Sequence, residues 1–167
     1  MMARAKPTFA LRPFLPSDAQ MLADIFRSSI EELTSDDYTE AQQDAWAATA
    51  DEEGFTAKLT GGLTLIATLE GSPVGFATLT DNALVDLLYV HPAVAGQGVG
   101  TMLAEALERL ANARGTKRVT TDASDTAVPF FEKRGYVAQQ RNSVLRGAEW
   151  LYNTTMAKQL GSQGKAS

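Results

Sequence analysis

Polar and apolar residues alternate from Thr8 to Phe14, with Pro13 and Pro16 at the end of the stretch, which predicts a first strand. The period then changes. Met21, Leu22, Ile25, Phe26, Ile30 and Leu33 recur at helical spacing, and Ser17 with Gln20 predicts a capping box where that helix starts. Residues 39–49, around Trp46, and 51–60, around Phe55, read as two shorter helices. Leu63 to Leu69 and Val74 to Leu79 read as strands joined by a Glu70-Gly71-Ser72-Pro73 turn, and Ala83 to Val90 as a third strand after Asp81-Asn82. Met102, Leu103, Ala106, Leu107 and Leu110 mark another helix, closing near Arg114-Gly115. A strand over Arg118 to Ala123, a short helix over Thr126 to Arg134 closed by Gly135, and strands at 136–146 and 149–157 follow. The order βααα, three-strand meander, αβαββ predicts a mixed α+β sheet with one crossover; a doubly wound fold would alternate throughout.

The most informative segment is 87–103, where an apolar run ends at His91-Pro92 and glycines follow at 96, 98 and 100 before the amphipathic helix. A strand, a glycine loop and a helix start bring unpaired backbone N–H groups and the positive end of a helix dipole to one point. Such a point suits a phosphate or pyrophosphate. Glycine allows the backbone to touch the ligand or to adopt positive φ.

At 167 residues the chain can bury one core, so a single domain over 8–158 is expected, between a flexible 1–7 and a flexible tail over 159–167. The net charge of −5 argues against a general nucleic-acid or anionic-membrane surface. No apolar run approaches the ~20 residues of a membrane span. Residues 1–7 lack the apolar core of a secretory signal, which makes a cytoplasmic location the default. The absence of cysteine excludes disulfides, thiolate metal sites and a cysteine thioester intermediate. The single histidine, His91, reads as a turn residue beside Pro92 and rules out multi-histidine metal sites, so no metal is expected. No Gly-x-Ser-x-Gly elbow is present, which disfavours a hydrolase.

The strand order together with Leu88-Tyr89-Val90-His91-Pro92, Gly96-Gln97-Gly98-Val99-Gly100 and the run from Ala127 to Tyr136 resembles the GNAT superfamily of acetyl-CoA-dependent N-acetyltransferases. The resemblance covers roughly residues 8–158. Within it, Tyr38 to Trp46 and the ending Trp150 to Met156 are similar to the YafP-like branch. It implies a mostly antiparallel twisted sheet of about seven strands flanked by about four to five helices. It implies acetyl-CoA as acyl donor and a small-molecule or peptide amine as acceptor, with a homodimer common in the family. The pyrophosphate would lie on backbone N–H groups of Ala95, Gly96, Gln97, Gly98, Val99, Gly100 and Thr101. The pantetheine arm would pair with backbone groups along Leu88, Tyr89 and Val90, as an added strand would. The Leu88 N–H would serve as the oxyanion donor.

Three positions depart from the family pattern. Ala95 stands where the loop usually starts with Gln or Arg, and Ser124 stands where Asn is frequent. Phe131 stands where many members carry the tyrosine that protonates the leaving thiolate, so the usual general acid is missing while a cofactor contact survives. The candidate base is Asp86, which interrupts the apolar run of its strand. Burial without a partner would be costly there and would raise its pKa. The competing reading is a salt bridge or a loop N–H contact. Tyr38 and Trp46 are candidates for an aromatic acceptor wall, or core anchors. Tyr136 reads as a packing residue, and Trp150 and Tyr152 read as core packing or, for one of them, as part of the pocket rim. Arg134 and Lys133 read as a solvated helix end that could also meet the adenosine phosphate. Two other functions compete: a non-catalytic acyl-CoA-binding module, favoured by Phe131, and a dinucleotide enzyme using Gly96-x-Gly98-x-Gly100 with Asp122. The third glycine comes one residue too early for the dinucleotide fingerprint.

Overall fold

A computed structural model of the chain describes residues 8–161. Expectations for residues 1–7 and 162–167 lie outside the described residues. The strands are β1 Phe9–Pro13, β2 Leu63–Leu69, β3 Ser72–Thr80, β4 Leu84–Val90, β5 Arg118–Ser124, β6 Val137–Arg146 and β7 Glu149–Gln159. The helices are α1 Ala19–Leu33, α2 Glu40–Ala47, α3 Glu53–Gly61, α4 Val99–Ala113 and α5 Val128–Lys133. The expected α+β order is the observed one. One seven-stranded sheet runs β1-β2-β3-β4-β5-β7-β6, antiparallel except where β4 meets β5.

Strand alternation divides the core in two. Ile66, Phe76 and Leu87 pack with Leu22, Ile25, Phe26 and Ile30 of α1 on one face. Ala67, Ala77 and Leu79 pack with Val99, Leu103, Leu107 and Ala111 of α4 on the other. The four α4 residues recur every fourth position, and each is at most 2 % exposed. Truncating one, as in Leu107→Ala, costs about 2–5 kcal/mol in such a setting. Gly75 lets α4 lie directly on β3. A Cβ there would stand 3.0 Å from Val99 Cγ1 and 3.2 Å from the Tyr89 carbonyl oxygen.

Several local details differ from the sequence reading. The Ser17–Gln20 capping box is not formed. Asp18 instead accepts the Leu15 N–H at 2.8 Å and is gripped by both Arg12 guanidinium nitrogens at 2.8 Å, because a single-turn 3₁₀ segment, Pro16–Asp18, precedes α1. The β2–β3 turn is only Glu70-Gly71, both at positive φ, and Ser72 and Pro73 already belong to β3. The last strand continues to Gln159, and the Leu160 N–H bonds the Lys117 carbonyl at 2.8 Å, so the ordered structure outruns the expected boundary at 158.

Candidate functional site

The parallel pair β4–β5 is registered at only two positions, Leu84 with Thr120 and Val85 with Thr121. Beyond them the strands splay, and the buried Thr121 hydroxyl donates to the Val85 carbonyl at 2.9 Å at the fork. The His91 N–H bonds the Val74 carbonyl of β3 at 2.8 Å. Backbone groups of a strand alternate in direction, so Leu88 and Val90 point their N–H and C=O groups away from β3, into the splay. No described strand pairs with them there.

The glycine loop closes the wide end of this splay. Gly96 and Gly98 have φ of +79° and +87°, and Gly98 is the N-cap of α4 without any side-chain cap. Gly100 lets the first turn of α4 press against the Phe130 ring, which a Cβ would approach to 3.4 Å. Among the described residues the N–H groups of Gly98, Val99, Gly100 and Thr101 have no hydrogen-bond partner. Free donors and the positive end of a fifteen-residue helix therefore converge above the open edge of β4. His91 takes the structural role expected of it: its Nδ1 accepts the Ala93 N–H at 3.0 Å.

A cleft of about 550 Å³ runs through the splay, lined by Ala127 and Phe131 on one face of the sheet and by Tyr38, Trp46, Phe55 and Lys58 on the other. Asp86 lies on its floor. A β-bulge between Thr78 and Leu79 leaves Asp86 as the extra residue of β4, because Thr78 opposes Leu87 while Leu79 opposes Val85. The bulge re-aims the carboxylate toward α3. There it meets Lys58 Nζ at 3.5 Å and the Thr80 hydroxyl at 3.5 Å. Asp86 therefore has a cation beside it; the isolation expected for it is not observed, and the salt-bridge reading is.

Tyr38 lines the cleft but is 7 % exposed, and its hydroxyl donates to the Tyr152 carbonyl and accepts the Asp125 N–H, both at 2.9 Å. It clasps α2's approach to β7 and to the turn after β5. Trp46 is half-buried, with its ring 5.2 Å from Tyr38 and 6.4 Å from Tyr89. Burial pushes the Tyr89 phenol well above the ordinary tyrosine range, against the opposing effect of Trp46. Phe131, 3 % exposed, packs on Tyr136. Ser124 accepts the Ala127 N–H at 3.1 Å and so fixes the turn into α5.

Other expectations are corrected. Trp150 and Tyr152 are 54 % and 46 % exposed rather than packed in the core, flanking buried Leu151, and Tyr152 lines the cleft, which is the rim position left open for one of the two. Arg134 is not solvated: its guanidinium turns inward to Glu108 at 2.8 Å. Tyr136 packs as expected, and its hydroxyl also donates to Glu108 at 2.9 Å. Sequence reasoning missed Lys58 and Glu108. Both sit at ordinary helix positions, and only the fold brings their partners to them.

A sheet forked at β4–β5, with an uncapped glycine-flanked helix start above the fork, is the architecture of an acyl-CoA-dependent transferase. The model of the acetyltransferase (GNAT) domain family matches residues 34–160, and the chain belongs to that family. It is 33 % identical over 147 residues to YafP of Escherichia coli K12, named an uncharacterized N-acetyltransferase, covering 87 % of this chain and 93 % of YafP. A crystal structure of a GCN5-related N-acetyltransferase from Rhodopseudomonas palustris superposes with a TM-score of 0.88 at 58 % identity, covering 96 % of this chain and 99 % of that one. The fold is shared at 20 % identity and a TM-score of 0.64 with yncA of Salmonella typhimurium, solved with its cofactor acetyl-CoA, over 94 % and 96 % of the two chains. The chain is thus an acyltransferase of the YafP-like branch.

Proposed function

We propose that this protein transfers the acetyl group of acetyl-CoA to a primary amine of a small molecule or peptide, by direct attack in a ternary complex. The observation that carries this is the open edge of β4 at Leu88 and Val90, beneath the free N–H groups of Gly98 to Thr101. The pyrophosphate sits on the free N–H groups of Gly98 to Thr101, since the Ala95 and Gln97 N–H groups expected to join them are spent on the Pro92 and Val94 carbonyls. The pantetheine completes the interrupted sheet along Leu88, Tyr89 and Val90, passing Ser124 and Phe131. The acceptor enters from the α1–α3 side, between Tyr38 and Trp46 and the hairpin of β6 and β7. Its neutral nitrogen attacks the thioester carbon, whose oxygen is held by the Leu88 N–H. A C–N bond forms and the C–S bond breaks. The amine proton goes to Asp86, directly or through one water, and the thiolate takes a proton from solvent. A CoA-like thiol titrates near ~8.5, which makes the thiolate a tolerable leaving group without a dedicated acid. That matters because Phe131 has no proton to give and burial makes Tyr89 a poorer acid. The reaction belongs in the cytoplasm, where acetyl-CoA and amines meet.

Gly98→Glu tests the cofactor site, because its φ of +87° is strained for glutamate and its carboxylate meets the pyrophosphate. Calorimetry should show acetyl-CoA binding lost in this variant; an unchanged affinity would remove the loop from the mechanism. Phe131 also favours a second reading, an acyl-CoA-binding module without turnover. Thiol release from acetyl-CoA across an amine panel separates the two, since a module gives none.

A further inference from the structure

Among the described residues that line the cleft, Lys58 is the one lysine, and its amine lies beside Asp86, the base of the proposed reaction. Its Nζ stands 3.5 Å from Asp86 Oδ1, on the acceptor side of the same cleft that reaches Leu88. The contact is longer than the roughly 2.7–2.9 Å of a charge-assisted hydrogen bond, so the pair is loose. The Lys58 side chain is 48 % exposed, whereas its helix is anchored by the buried side chains of Phe55 and Leu59. A fixed Cα with a free four-carbon stem gives the amine a short arc over the floor of the cleft. The remaining described lysines differ. Lys117 and Lys133 are exposed away from the cleft, and Lys158 is held by Glu108 at 2.8 Å.

We infer that the chain acetylates its own Lys58, and that this frees Asp86 for the external acceptor. The inference rests on the acetyltransferase reading above. Lys58, once deprotonated by Asp86, attacks the bound thioester carbon. The new bond is Nζ–C and the broken bond is C–S. Two protons leave the nitrogen through Asp86 to water, one before the attack and one after it, and the thiolate takes one from solvent. The product is acetyl-lysine and CoA. Acetyl-lysine carries no charge, so Asp86 loses the cation beside it and becomes available to an incoming ammonium. Before that step, Lys58 competes with the acceptor for the same carboxylate.

The test incubates the full chain with acetyl-CoA and no acceptor, and follows it by intact mass and peptide mapping. Expected is one acetyl group per chain on Lys58, formed at a rate per molecule independent of protein concentration. Proximity should make it at least about 10-fold faster than labelling of Lys117 and Lys133 in the same sample. The label should vanish in Gly98→Glu. With an external amine, Lys58→Gln should give a higher kcat/KM than Lys58→Arg, which keeps the cation. If Lys58 labels no faster than the exposed lysines while external amines are acetylated, self-acetylation is overturned and the acetyltransferase reading stands. If acetyl-CoA neither binds nor labels anything, that reading falls and this inference falls with it.

Discussion

Glu108 and Asp86 are two carboxylates withdrawn from solvent in one sheet-centred core, and their partners differ sharply. Glu108 on α4 accepts from Lys158 of β7 and Arg134 beyond α5 at 2.8 Å, and from the Tyr136 hydroxyl at 2.9 Å. Asp86 on the β4 bulge has only Lys58 and Thr80, each at 3.5 Å. The backbone repeats the contrast. β5 pairs with β7 from Arg118 to Ser124 without a break, whereas β4 and β5 part after Val85. A carboxylate whose oxygens are fully engaged ties three elements together and has nothing left to exchange. One held loosely beside unpaired backbone donors can take a proton or an ammonium. The fold is closed where charge is satisfied and open where the proposed chemistry is placed.

The largest effect should come from breaking the closed end. Glu108→Ala leaves Arg134 and Lys158 facing each other, and urea denaturation should show a loss of about 3–5 kcal/mol. A loss under about 1 kcal/mol would mean that the network is ornamental and the contrast fails. Acid sharpens the same point. Burial raises the Glu108 pKa, but the hydrogen bonds from Lys158, Arg134 and Tyr136 outweigh it and leave the group below the usual glutamate value. Its stabilisation is therefore complete above the unfolded value of about 4.3 and is lost as pH falls through the lower folded value. The stability gap between wild type and Glu108→Ala should narrow over that acid range and stay constant above it.

At the open end, Asp86→Asn should change stability by no more than about 1 kcal/mol while turnover falls about 100-fold. Acetyl-CoA affinity should hold. A variant that turns over normally removes Asp86 as base. The smallest effect belongs to Phe131→Tyr, which places a hydroxyl where the proposed mechanism relies on solvent to protonate the thiolate. Steady-state rates should rise a few-fold at most, roughly, given that thiolate leaves well unaided. A rise as large as the loss at Asp86 would show that the missing acid limits the reaction.

What could be read in advance follows from locality. Periodicity found β2 at Leu63–Leu69 and the body of α4 through Met102, Leu103, Leu107 and Leu110, because alternation and helical spacing are properties of neighbours in the chain. The glycine loop was legible because positive φ at Gly96 and Gly98 demands glycine whatever surrounds it. Asp86 showed itself by interrupting an apolar strand. Its bulge and its pairing with Lys58, 28 positions earlier, did not, since both depend on the register of β3 and the placement of α3. Tyr38 drew notice as an aromatic residue and does line the cleft, but the commitment of its hydroxyl to backbone groups 87 and 114 residues away was not legible. Core packing does not hold for Trp150 and Tyr152, which stay exposed on either side of buried Leu151, while Tyr152 takes the rim position that was the alternative.

Amide hydrogen exchange with and without acetyl-CoA tests the central claim most directly, because it reads the individual donors on which the proposal depends. Protection should appear together at Leu88 and Val90 in the fork and at Gly98 to Thr101 above it. Saturating binding that leaves those amides exchanging as they do in the free protein would contradict the account.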